Sequence, residues 1–130
     1  MSIGLQTPGI HHISLRSANL QRSRQFYAET LGFPILVEGL DFYVVAVGSC
    51  VIGVKGPDAK TPPQDIFNPF RVGLDHAALS CPNEQELQRV AKALSDAGIE
   101  NTGVKVDDVL NKTYVAFKDP DRISWEFYLV

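Results

Sequence analysis

The stretch GIHHISL, residues 9–15, returns as GLDHAAL, residues 73–79. Each is a glycine, an aliphatic residue, a variable position, a histidine and a short apolar run. His12 and His76 occupy the matching slot. The likeness continues outward, because Gly9 matches Gly73, Leu15 matches Leu79 and Asn19 matches Asn83. After a two-residue slip, Gly32 matches Gly98. Agreement of strands, helix caps, helix stops and histidines together reads as an internal repeat.

Each copy predicts the same order of elements. Residues 10–16 read as a strand and residues 19–32 as a helix, with Asn19 as its cap and Gly32 as its left-handed stop. Leu20, Phe26, Tyr27 and Leu31 supply the apolar stripe. FPILVEG, DFYVVAV and CVIGVK then read as strands, with Gly39 and Gly48-Ser49 as turns between them. In the second copy, residues 72–80 read as a strand. Asn83 caps a helix with Glu86 as capping-box partner, and Gly98 ends it. Leu87, Val90, Ala91 and Leu94 form its stripe. A weaker strand near 100–107 precedes KTYVAFKD and ISWEFYLV. The chain therefore reads as an α+β protein of two tandem βαβββ modules in a single 1–130 domain. Module one spans 9–55, a Pro-rich linker 56–71, and module two 72–130.

The bulk numbers exclude several classes. The 130 residues carry a net charge of −3, with 45% hydrophobic and 21% charged residues. That is an ordinary globular composition, and nucleic-acid binding is not expected without a basic patch. No apolar run reaches membrane-spanning length, so no membrane association is expected. The first residues lack the charged and apolar regions of a signal peptide. Cys50 and Cys81 have no metal-like spacing and read as reduced thiols, so a cytoplasmic location is expected.

Side chains alternate across a strand. His12, Ser14 and Arg16 share one face; His11, Ile13 and Leu15 share the other. His76, Ala78 and Ser80 likewise oppose Asp75, Ala77 and Leu79. The mainly aliphatic faces should meet the helices, leaving the histidine faces to line a cavity. In ISWEFYLV, Glu126 stands between Ser124 and Tyr128 on one face, while Trp125, Phe127 and Leu129 pack on the other. Two neutral imidazoles and a carboxylate would make a facial triad with open positions for water or substrate. His11 competes with His12 for the first slot but has Asp75, not a histidine, as its counterpart.

GIHHISLRSANLQRSRQFYAETLGF, DHAALS and DPDRISWEF together resemble the vicinal oxygen chelate superfamily. That group includes glyoxalase I, extradiol dioxygenases, fosfomycin-resistance enzymes, methylmalonyl-CoA epimerases and bleomycin-binding proteins. The resemblance covers nearly the whole chain. It implies paired βαβββ modules, each curling into half of an open barrel around a metal-binding groove. It places the family's ligand positions on His12, His76 and Glu126, the last counted seven residues from Asp119. Arg122 replaces the customary glycine of the DPDG-like turn. A divalent ion (Fe, Mn, Ni, Co or Zn) is the implied cofactor, and a homodimer the implied assembly.

The fourth ligand of glyoxalase-like members, also their catalytic base, falls on Gly53, which can neither ligate nor take a proton. A three-ligand site resembles extradiol dioxygenases and fosfomycin-resistance enzymes, although Ala116 stands where both carry a tyrosine. The expected function is thus a metal-dependent enzyme acting on a small oxygen-rich molecule, by dioxygenase-like or related three-ligand chemistry. A glyoxalase-type lyase or isomerase, a fosfomycin-type thiol transferase and a non-catalytic bleomycin-type binder are the alternatives. Strand parity and the linker nominate Arg16, Tyr114, Phe70 and Arg71 as substrate contacts. Ser14, Ser80, Ser124 and Lys55 are further lining candidates.

Overall fold

The computed structural model describes all 130 residues. They form two compact units, Met1–Asp65 and Ile66–Val130, each built from one four-stranded mixed sheet and one helical segment. The α+β architecture of two βαβββ modules is the one the repeat predicts, and neither sheet closes into a barrel.

In the first unit, β1 (His12–Arg16) leads into a helix. β2 (Ile35–Glu38), β3 (Phe42–Val47) and β4 (Cys50–Lys55) follow in sheet order β1-β4-β3-β2. β1 runs parallel to β4, as a crossover connection requires, and the other pairs are antiparallel. The core is Leu15, Phe26, Tyr27, Tyr43, Val45, Ile52 and Val54. Leu15 is buried while His12, Ser14 and Arg16 are exposed, which is the predicted parity.

The helix differs from the expected 19–32 α-helix. α1 covers only Leu20–Arg24, and the chain continues as a π-helix over Gln25–Thr30. There Leu31 N–H donates to Phe26 O at 2.8 Å, five residues back. The reason lies in the adjacent aromatics. Phe26 and Tyr27 are both buried, with ring centroids 5.1 Å apart edge to face. The widened turn accompanies the burial of two neighbouring rings. Asn19 caps as predicted, its Oδ1 accepting from Arg22 N–H at 3.0 Å.

In the second unit, β5 (Ala77–Cys81), α2 (Glu84–Asp96), β6 (Asn101–Asp107), β7 (Lys112–Lys118) and β8 (Ser124–Leu129) form the sheet order β5-β8-β7-β6. β5 is parallel to β8. Cys81, Leu87, Leu94, Val115, Phe117, Ile123 and Trp125 are its core. α2 is uninterrupted over 13 residues, and Leu87 and Leu94 carry its buried stripe. The capping box is half formed. Asn83 Oδ1 accepts from Glu86 N–H at 2.8 Å, but the Glu86 carboxylate turns to Arg89.

Both leading strands are shorter than expected, starting at His12 and Ala77 instead of residues 10 and 72. Their parallel partners set that limit. β4 begins only at Cys50 and β8 only at Ser124, so residues before them have no ladder to join. The weak 100–107 strand is complete, with a bulge between Asn101 and Val104. No helix is long and apolar enough to cross a membrane.

Candidate metal centre

The second unit brings two of the three predicted ligands together. β8 presents Glu126 between Ala78 of β5 and Ala116 of β7, so small neighbours leave space above the carboxylate. His76 immediately precedes β5. Its Nε2 lies 3.4 Å from Glu126 Oε2. Its Nδ1 lies 2.6 Å from Asp75 Oδ1. With the ring proton on Nδ1, Asp75 accepts it, and Nε2 faces the carboxylate as a second lone-pair donor. The separation exceeds a good N–H···O bond. Two such donors aimed at each other are complementary to a cation between or before them. A carboxylate behind the imidazole is also the usual outer-shell arrangement for a ligating histidine. An imidazole nitrogen and a carboxylate oxygen are donor types that a divalent metal accepts.

His12 opens β1 of the first unit and is exposed. Its Nδ1 lies 2.8 Å from His11 Nδ1, with the two rings edge to face. His11 therefore stands to His12 as Asp75 stands to His76: in each case the preceding residue engages Nδ1. The sequence raised His11 as a rival ligand. In the structure His11 lies against His12, ring nitrogen to ring nitrogen. In the single chain, no group of three or more His, Cys, Asp or Glu side chains is arranged to hold a metal.

Strand register clarifies the fourth slot. In the first unit Gly53 lies between Ser14 and Val44; in the second, Glu126 lies between Ala78 and Ala116. Ser14 and Ala78 each sit two residues beyond a candidate histidine. Gly53 thus occupies the position equivalent to Glu126. An added Cβ there would approach Ser14 Oγ at 3.2 Å, a contact that rotation of an exposed hydroxyl relieves.

A cleft of about 210 Å³ opens at His76 and Glu126, lined among others by Asp75, Thr102, Lys118 and Ser124. Lys118 was not among the sequence candidates. It lies opposite Ser124 on β7, and its Nζ donates to Ser124 Oγ at 2.8 Å. Its signal in the sequence was parity with Tyr114 and Ala116, masked by its place beside the DPDR turn. That turn is held by Asp119, whose Oδ1 accepts from Asp121 N–H and Ile123 N–H. Arg122, where the family pattern has glycine, adopts φ 69° and pairs with Glu100. The left-handed backbone explains why glycine suits this position.

Residues 9–127 match the model of the Glyoxalase/Bleomycin resistance protein/Dioxygenase superfamily. The chain belongs to this superfamily. The uncharacterized protein YwkD of Bacillus subtilis is 29% identical over 127 residues, covering 92% of this chain and 94% of its own. Catechol-2,3-dioxygenase of Bacillus subtilis is 30% identical over 116 residues, covering 83% of this chain but 40% of that longer protein. The solved glyoxylase/bleomycin resistance protein/dioxygenase domain from Frankia sp. EAN1pec superposes with a TM-score of 0.80 at 27% identity. It covers 95% of this chain and 98% of that one.

Within this superfamily chain, the remaining candidates are placed as follows. Tyr114 stacks on Tyr128, centroids 6.0 Å apart and planes 12° from parallel. Tyr128 Oη donates to Asp107 at 2.7 Å. Burial first, and then this carboxylate, push the Tyr128 phenol up to about 12. Arg16 donates from Nη1 to Gly56 O at 2.7 Å, with Asp58 at 3.9 Å, and so holds the start of the irregular 56–71 stretch. Phe70 and Arg71 are exposed within that stretch. Ser80 adjoins Tyr128 across the ladder, and Lys55 pairs with Arg16 and Phe42.

Proposed function

We propose that this chain is a metal-dependent enzyme acting on a small oxygen-rich molecule, with His12, His76 and Glu126 as protein ligands to one divalent ion. The reading is carried by the Asp75–His76–Glu126 arrangement, with Nε2 and Oε2 facing each other at 3.4 Å and Nδ1 held from behind. His12, with His11 behind it, is the third ligand by repeat equivalence. Homodimers in the cytoplasm complete the proposal.

The ion would act as a Lewis acid toward two neighbouring oxygens of the substrate. Around it, Glu126 contributes negative charge and His76 a neutral donor whose tautomer Asp75 fixes. Gly53 provides no base in the fourth slot, which favours dioxygenase-like or related three-ligand chemistry over glyoxalase-type isomerisation. Tyr114 offers an aromatic face and a hydroxyl one row from Glu126. Arg16, Phe70 and Arg71 are the other proposed substrate contacts.

The test adds Fe(II), Mn(II), Ni(II), Co(II) and Zn(II) singly to metal-free protein, reading thermal midpoint and bound metal. Catechols are then assayed anaerobically for binding and aerobically for oxygen uptake, beside a hemithioacetal for isomerisation. The proposal expects a raised midpoint with at least one ion and oxygen uptake with a catechol. A chain that takes up none of these ions, yet binds small aromatic molecules, is instead a binding module.

A further inference from the structure

We propose that Lys118 is a recognition residue for a carboxylate on the substrate, so that the ligand class narrows to oxygen chelators bearing a separate acidic group. This rests on the metal-dependent reading of the same cleft. The cross-strand lattice positions this lysine. Ala116 lies opposite Glu126, and Lys118, two residues on and on the same face, lies opposite Ser124. His76 precedes Ala77 just as Ser124 precedes Trp125, its ladder partner. Imidazole, hydroxyl and ammonium therefore succeed one another across β5, β8 and β7, one row from the Glu126 carboxylate. All line the same cleft.

The ammonium is part-buried, and its hydrogen bond goes to a neutral hydroxyl, Ser124 Oγ. An ammonium has three donors, so two remain open to water or to a ligand in the cleft. Glu100, a carboxylate that lines the same cleft and feels its charge, is already paired with Arg122. Asp75 is engaged by His76 and Glu126 faces it. A partly desolvated cation beside a chelation site favours an anionic partner there over a neutral one. Ser124, freed or shared, offers a further hydroxyl to that partner. The equivalent row of the first unit is His12, Val51 and Ala46, which carries neither group. The cation is thus a feature of one module and not of the repeat.

The probes are catechol and its 2,3- and 3,4-dihydroxybenzoate derivatives, which keep the chelating pair and add a carboxylate. Each is titrated calorimetrically onto wild type, Lys118→Met and Lys118→Arg, with and without Zn(II). The proposal expects one dihydroxybenzoate to bind wild type at least tenfold tighter than catechol. Lys118→Met should lose that preference with catechol affinity unchanged, and Lys118→Arg should keep most of it. Equal affinity for catechol and both acids, or a preference that survives in Lys118→Met, would overturn it. If Zn(II) strengthens all three equally with no preference, the lysine assignment fails and the metal reading stands. If the preference is present but indifferent to Zn(II), the lysine assignment stands and the metal reading fails.

Discussion

The two units carry the same scaffold with unequal equipment. Row by row, Ser14–Gly53–Val44 in the first corresponds to Ala78–Glu126–Ala116 in the second. Arg16–Lys55–Phe42 corresponds to Ser80–Tyr128–Tyr114. Behind the candidate ligands, an imidazole backs His12 where a carboxylate backs His76. Duplication explains the common positions of the histidines. The equipment is divided, with Glu126, the Asp75 carboxylate behind His76 and the cleft lysine all in the second unit. The first unit offers the His11–His12 pair and a more cationic rim.

The largest difference between the units is expected at the residues behind the two histidines. Asp75→Asn should weaken metal binding by about 10–100-fold, the usual cost of losing such a partner. His11→Asn should cost less, because an imidazole is a weaker acceptor than a carboxylate. Competition against a coloured chelator measures both, and a larger loss at His11 would reverse the assigned ranking.

Making the first unit resemble the second is the converse experiment. Gly53→Glu supplies the missing carboxylate, and its Cβ needs only Ser14 Oγ to turn aside. It should tighten divalent metal binding and leave the fold intact. Unaltered affinity would mean that the slot opens away from the ion.

Smaller effects separate the helices. Asn83→Ala removes the cap of a continuous 13-residue helix and should cost about 1 kcal/mol. Asn19→Ala should cost less, because α1 has five residues before its π-helical continuation and is anchored by Phe26 and Tyr27. Chemical denaturation of both variants checks the order.

The smallest expected effect is a pH dependence confined to the second unit. The hydrogen bond from Tyr128, and then backbone N–H groups led by Val109, hold the Asp107 carboxyl below its ordinary value. A depressed carboxyl stabilises above its unfolded value, near 4, and loses that contribution as pH falls through the folded value. The raised Tyr128 phenol stabilises below about 10 and loses its contribution as pH rises through about 12. The thermal midpoints of wild type and Tyr128→Phe should therefore differ most near neutral pH and converge in acid. A gap that is constant down to pH 2 would dissociate Asp107 from the effect.

Much of this was legible in the residues because alternation and capping are local. CVIGVK is a strand over its whole length, both asparagines cap, and Trp125 packs while Glu126 faces the other way. What was hidden depends on partners distant in sequence. The start of β5 is set by where β8 begins, not by GLDH itself. The π-helical stretch follows from seating Phe26 and Tyr27 together, which a 3.6-residue stripe does not encode. Asp75 and His11 looked like residues of the opposite face. Lying at or just before the strand starts, they turn to the neighbouring imidazoles instead. Lys118 became visible only when register set it opposite Ser124.

The most direct measurement is cobalt(II) titration followed by visible absorption on wild type and on His12→Ala, His76→Ala and Glu126→Gln, each checked for folding by circular dichroism. One ion per site is expected, with every substitution weakening binding by more than about 100-fold, beyond the cost of losing a residue behind a ligand. Folded His12→Ala protein binding cobalt as tightly as wild type would contradict it, because the duplicated histidines would then not serve one ion.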